Sequence, residues 1–161
     1  MLISQYAYFG LSSLVIPAAE MTAILGIAPD EISVRGSRRG EPRPHPPLHR
    51  WKIVCREPAM SVDQQVERIM ERLAPHGDAI AALARRLDAE DGDQSGAVLE
   101  IVRKFNHDEG QDRLASTPPE LIDGHDLLGW HLDRAVLEFL QATGAVLDVD
   151  EYDYSDSADD D

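Results

Sequence analysis

Cysteine is nearly missing from this chain. Cys55 is the only one in 161 residues, so no internal disulfide can form, and a reducing, cytoplasmic location is expected. Long apolar runs are missing too: none approaches the roughly 20 residues that cross a bilayer. No basic head followed by an apolar stretch marks a secretion signal near the N-terminus. Positive charge is scarce, 15 Lys and Arg against 30 Asp and Glu, for a net charge of −15. A field of that sign repels DNA, RNA and anionic membranes at long range, so neither nucleic acid nor membrane is expected as a partner. No glycine-rich loop feeds a helix start, and Gly36-Ser37-Arg38-Arg39-Gly40 does not have the spacing of a phosphate loop. Ser12, Ser13 and Ser61 sit in no nucleophile-elbow context, and there is no internal repeat.

What remains is ordinary for a soluble domain: 43% hydrophobic and 28% charged residues. A chain of this length is one domain and can bury a core without staples. The charge is unevenly placed. Residues 1–60 hold seven basic and five acidic side chains, a net of +2, and residues 61–161 hold eight and twenty-five, a net of −17.

Apolar periodicity marks the elements. Residues 2–12 alternate as a strand, with Tyr6 and Tyr8 on one face and Ala7, Phe9 and Leu11 on the other. Pro17 opens a short helix that Gly26 ends. Residues 28–50 are rich in Pro, Gly and Arg, without period, and are expected to be a long connection; residues 51–55 form the second strand. Ser61-Val62-Asp63-Gln64 is a capping box, and Val66, Ile69, Met70 and Leu73 follow at helical spacing. Pro75 and Gly77 break that helix, and Asp78 is expected to cap its continuation through Ile80, Leu83 and Leu87. Residues 97–105 are the third strand, and residues 117–120 are expected to start a single helical turn. Asp133 caps the last helix, with Leu132 and Leu137 spaced as a hydrophobic staple. Gly144 ends it, and the closing strand follows over residues 145–153.

The order β-α-β-α-α-β-α-β predicts an α+β two-layer sandwich, a sheet of about four strands with helices on one face. The domain is expected to end at residue 154, and residues 155–161 form a polar acidic tail that buries nothing. The expected core is Phe9, Leu11, Met21, Ile24, Leu25, Ile53, Val66, Ile69, Met70, Leu73, Leu83, Ile101, Val136, Leu137, Leu140, Leu147 and Val149.

Three stretches, in this order, resemble the domain of unknown function 4279, a family of small bacterial proteins. The first is the strand–helix opening that ends in Leu25-Gly26-Ile27-Ala28-Pro29, with Arg35-Gly36 after it. The second is Trp51 at the start of a strand, and the third is a helix leading into Gly144-Ala145-x-Leu147-Asp148-Val149-Asp150-x-Tyr152. The resemblance covers residues 4–154 and implies a whole α+β domain. It implies no activity, because the family carries none to transfer.

The candidate site lies on the closing strand. Alternation puts Asp148, Asp150 and Tyr152 on one face, the two carboxylates roughly 7 Å apart, with Leu147 and Val149 on the other. Such a pair suits a shared cation, acid–base chemistry or docking of a basic surface. A metal needs a third ligand, and nothing in the spacing supplies one, so no metal or cofactor is expected. The second candidate is the basic segment, 35–56, with Arg35, Arg38, Arg39 and Arg43 ahead of Trp51. It is expected to lie over the acidic face or tail and neutralise it. His45 and His49 have the spacing of a helical metal pair, but Pro44, Pro46 and Pro47 preclude a helix there. Cys55 shares a buried face with Trp51 and Ile53 and is expected to be a small hydrophobe.

No nucleophile, base and orienting group can be assembled, so a non-enzymatic protein-interaction module is expected. Its expected partner is a basic protein, bound much as an immunity protein plugs a toxin, or a second copy of the chain held by Arg35, Arg38 and Arg39. The alternative is a ligand- or metal-binding, enzyme-like domain on the Asp148, Asp150 and Tyr152 face.

Overall fold

A computed structural model of the chain describes residues 3–37, 45–92, 96–106 and 128–154. The expected turn at 117–120, Arg38, Arg39, Arg43, His107, His125 and the tail 155–161 lie outside the described residues. Strand β1, Ile3–Ser13, buries seven of its eleven residues, which suits the central place it takes in the sheet. Helix α1, Ala18–Leu25, follows Pro17 and ends at Gly26, whose φ of 67° is open to glycine at little cost. Strand β2, Glu31–Ser33, is a three-residue edge; β3 is His49–Cys55.

Helix α2, Val62–Leu73, opens on the capping box: Ser61 Oγ accepts from the Gln64 amide, and Gln64 Oε1 accepts from the Ser61 amide at 3.0 Å. A single 3-10 turn, Ala74–His76, takes up Pro75, and α3, Gly77–Asp91, resumes with Asp78 inside its first turn rather than at the cap. Strand β4 is Gly96–Phe105. Helix α4, Arg134–Thr143, has Asp133 accepting from the Val136 amide at 2.8 Å, and Gly144 ends it at φ 67°. Strand β5, Val146–Asp153, closes the described chain.

Among the described residues the sheet has five strands, one more than the sequence pattern suggests, in the order β2-β3-β1-β4-β5. A strand of three residues is too short to show a period, so β2 is hidden inside the 28–50 connection. The β1, β2, β3 and β4 pairings are antiparallel, and β4 with β5 is parallel. Odd-numbered residues of β1, β3 and β4, among them Phe9, Trp51, Ile53, Leu99 and Ile101, join the inward residues of all four helices in one core. The helices thus cover that face, and the even-numbered residues form the other.

Four expected core residues are surface residues instead. Leu137 is 52% exposed, and Ile24, Leu147 and Val149 are also exposed. Helix α4 buries Val136, Phe139 and Leu140, which leaves Leu137 facing away, so no staple with Leu132 buries it. Leu147 and Val149 stand on an edge strand whose helix-side face is incompletely covered by the described residues.

Candidate functional site: the open face of the sheet

Topology builds this face from strands far apart in sequence. Because β1 lies between β3 and β4, the basic strand and the carboxylate-bearing strands stand on opposite sides of a tyrosine-bearing one. From β3 come Arg50 and Lys52. From β1 come Tyr6, Tyr8 and Gly10. Glu100 of β4 pairs with Tyr8 on one side and, in parallel register, with Asp148 of β5 on the other. Asp150 and Tyr152 follow Asp148 along the same edge.

Tyr8 is the hub. It is only 6% exposed although it sits on the face opposite the core. Its hydroxyl donates a short hydrogen bond to Glu100 Oε2, and Lys52 Nζ sits 3.6 Å from its ring centroid, a cation–π contact. Burial, with the Glu100 carboxylate beside it, pushes the Tyr8 hydroxyl far above the usual phenol range, so it remains a donor at every ordinary pH. Burial, reinforced by the Arg50 guanidinium, holds the Lys52 ammonium below the usual lysine range. Arg56 stacks over Tyr6 at 4.0 Å and pairs with Glu31 at 2.9 Å.

The expected site residues fare differently. Asp148, Asp150 and Tyr152 do share this face, and the Tyr152 hydroxyl donates to Asp150 Oδ2 at 3.3 Å. The Asp150 charge raises the Tyr152 hydroxyl above the phenol range. Asp148 forms no side-chain hydrogen bond or ion pair among the described residues. No group of three His, Cys, Asp or Glu side chains among them could hold a metal ion. Trp51 is fully buried on the helix side, its indole N–H donating to Thr22 Oγ1 at 3.1 Å. Arg35 is tied to its own chain, its guanidinium donating to the Leu14 carbonyl at 2.9 Å and its amide to His49 Nδ1 at 3.1 Å. His45 likewise meets the Ser37 carbonyl, so the two histidines brace the 35–37 segment. Among the described residues, no side chain of the basic segment forms an ion pair with β5; Arg38, Arg39 and Arg43, and the tail that the segment is also expected to neutralise, lie outside them. Cys55 is buried and free.

No local sequence signal marks Lys52, Tyr8 and Glu100 as a set; only the β3-β1-β4 register joins them. Arg103 is a second residue without a signal. It lies on the helix side, 4% exposed, and its guanidinium donates to Glu151 at 2.7 Å, to Gln5 Oε1 at 3.3 Å and to the Leu128 carbonyl at 3.2 Å. Gln5 in turn donates to the Met60 carbonyl, and Gln65 donates to the Gln5 carbonyl. This network ties β1, β4, β5 and α2 together beneath the acidic edge.

No helix of the described residues is long and apolar enough to cross a membrane. No curated protein and no solved structure matches this chain. The model of a family described as a domain of unknown function, DUF4279, matches residues 3–154, and the chain belongs to that family.

Proposed function

We propose that this protein is a non-enzymatic interaction module whose edge strand β5 docks a basic protein surface, in the manner of an immunity protein held against a toxin. The observation that carries this reading is the state of the carboxylates on β5. Asp148 meets no cation among the described residues, and Asp150 meets only the Tyr152 hydroxyl. Both stand on an edge strand with Tyr152 exposed beside them. An uncompensated acidic row next to an aromatic ring suits a partner that supplies Lys or Arg. The net charge of −17 in residues 61–161 adds long-range steering toward such a partner.

A metal- or ligand-dependent enzyme on Asp148, Asp150 and Tyr152 is supported less, because catalytic carboxylate pairs converge on one concave, water-poor site and only Asp148 of this pair lines a depression. A second copy as partner is supported less too, since Arg35 already spends its guanidinium on Leu14.

The test uses tagged wild-type protein, Asp148→Lys/Asp150→Lys, and a charge-matched control on α2, Glu67→Lys/Glu71→Lys, as baits for basic polypeptides from the source cell. A basic polypeptide held by wild type and by the α2 control, lost from the β5 variant and released by salt, is the expected result. Equal loss from both variants would reduce the effect to net charge. A pure protein that is dimeric in light scattering, with dimerisation abolished by Arg38→Glu/Arg39→Glu, would move the partner to a second copy.

A further inference from the structure

The middle of the open face carries a second feature, which shares only Asp148 with the proposed docking edge. Gly10 lies between Lys52 on β3 and Val98 on β4 and contributes no side chain, so the face is hollow there. A depression of about 190 Å³ opens over it. Its rims are of opposite sign. Arg50 and Lys52 stand on one side, Glu100 and Asp148 on the other, with the Tyr8 ring as the wall between them. A Cβ added at Gly10 would lie 3.2 Å from Tyr8 Cε2, so a side chain there would enter the hollow only by pushing the ring aside by a few tenths of an ångström.

The four charges are incompletely used. Neither Arg50 nor Asp148 forms a side-chain hydrogen bond or ion pair among the described residues. Lys52 has the face of Tyr8 and, among the described residues, no carboxylate within ion-pair distance, although half-buried cations ordinarily acquire a counter-charge. Glu100 accepts from Tyr8 and has a second oxygen to offer. A simple anion drawn to Arg50 and Lys52 would face Glu100 and Asp148 across the hollow, and a simple cation would face the reverse. A ligand carrying both charges satisfies both rims and leaves a balanced site. The basic rim is on β3 and the acidic rim on β4 and β5, about 9–10 Å from β3 to β4 and about 14 Å from β3 to β5 at the backbone, so the two charges of the ligand must themselves be separated. The volume is below the roughly 300–1,000 Å³ of pockets for drug-sized ligands, which limits the ligand to a small molecule.

We propose that this hollow binds a small linear zwitterion, of the class of ω-amino acids and dipeptides, with its carboxylate on Lys52 and Arg50 and its ammonium on Glu100 and Asp148. The connecting chain crosses the hollow over Gly10, where no side chain stands.

The test is an amide-resolved NMR titration of the full chain with 6-aminohexanoate and glycylglycine, with hexanoate and hexylamine as single-charge controls. Saturable shifts at Gly10, Lys52 and Glu100 are expected with both zwitterions and not with the controls. Asp148→Asn, at an exposed position where the fold has little at stake, should weaken binding at least tenfold, as loss of a charge-assisted contact does. Lys52→Met should abolish it while leaving the remaining spectrum folded. Hexanoate binding as tightly as 6-aminohexanoate would make this an anion site, and hexylamine doing so a cation site; either overturns the proposal. So does the absence of any shift with both zwitterions at millimolar concentration, or binding that Asp148→Asn leaves unchanged. Docking of a protein at β5 can fail without touching any of these outcomes.

Discussion

Replacing Tyr8 with Phe isolates one hydroxyl at the centre of the open face. The ring stays under Lys52, so the cation–π contact survives, and only the donor to Glu100 is lost. A hydrogen bond to a charged acceptor contributes about 1.5–3 kcal/mol net. Glu100 is only partly buried and can be rehydrated, which places the expected loss near the lower end, about 1.5 kcal/mol. With a urea m-value of about 2 kcal/mol/M, the midpoint should fall by about 0.5–1 M with m unchanged. The effect must also depend on pH. Below the ordinary phenol value of 10.0, folded and unfolded chains both keep the Tyr8 proton and the contribution is complete. As pH rises past that value the unfolded chain loses the proton first, because the folded group titrates higher, and stability drains away. The gap between wild type and Tyr8→Phe should therefore narrow above pH 10. Lys52 acts with the opposite sign and in a lower window: its folded ammonium titrates below the unfolded one, so rising pH relieves a penalty until the ordinary lysine value of 10.5 is passed. Urea titrations at a series of pH values check both signs. Equal midpoints for wild type and Tyr8→Phe, or a gap constant through alkaline pH, would refute the Tyr8–Glu100 coupling.

Two further substitutions probe the frame that carries the face. Leu140→Ala, in the core, should cost about 2–5 kcal/mol, whereas Leu137→Ala, half exposed three residues earlier on the same helix, should stay within about 0.5 kcal/mol; parallel urea melts compare them. Arg103→Met should lower stability by about 1–3 kcal/mol, less than the loss of one member of a fully buried pair, because Glu151 can return to water; a thermal melt that equals wild type would show the Gln5–Arg103–Glu151 network to be dispensable.

Signals contained within a few residues were legible before any tertiary structure. The Ser61 and Gln64 capping box, the Asp133 cap and the terminating Gly26 and Gly144 are satisfied by backbone groups nearby in sequence, so they occur where their pattern stands. Alternation in β1 correctly separates Tyr6 and Tyr8 from Phe9 and Leu11, since a strand has only two faces. Periodicity does not say how wide a stripe its neighbours will cover. Ile24 and Leu137 lie at the margins of their helices' apolar stripes, and Leu147 and Val149 are on the outermost strand, so all four are exposed.

By itself, then, the sequence determined the α+β composition, the order of its longer elements, most of the core and the shared face of Asp148, Asp150 and Tyr152, because each of these depends on spacing along the chain. Only the tertiary structure decided which strands lie side by side. That choice places β1 between β3 and β4, brings Lys52, Tyr8 and Glu100 together across 92 positions of sequence between Tyr8 and Glu100, and leaves β5 at the edge of the described sheet with Asp148 unpaired among the described residues. Strand pairing rests on burial summed over the whole sheet and on register between distant segments, and no local pattern of residues carries that information.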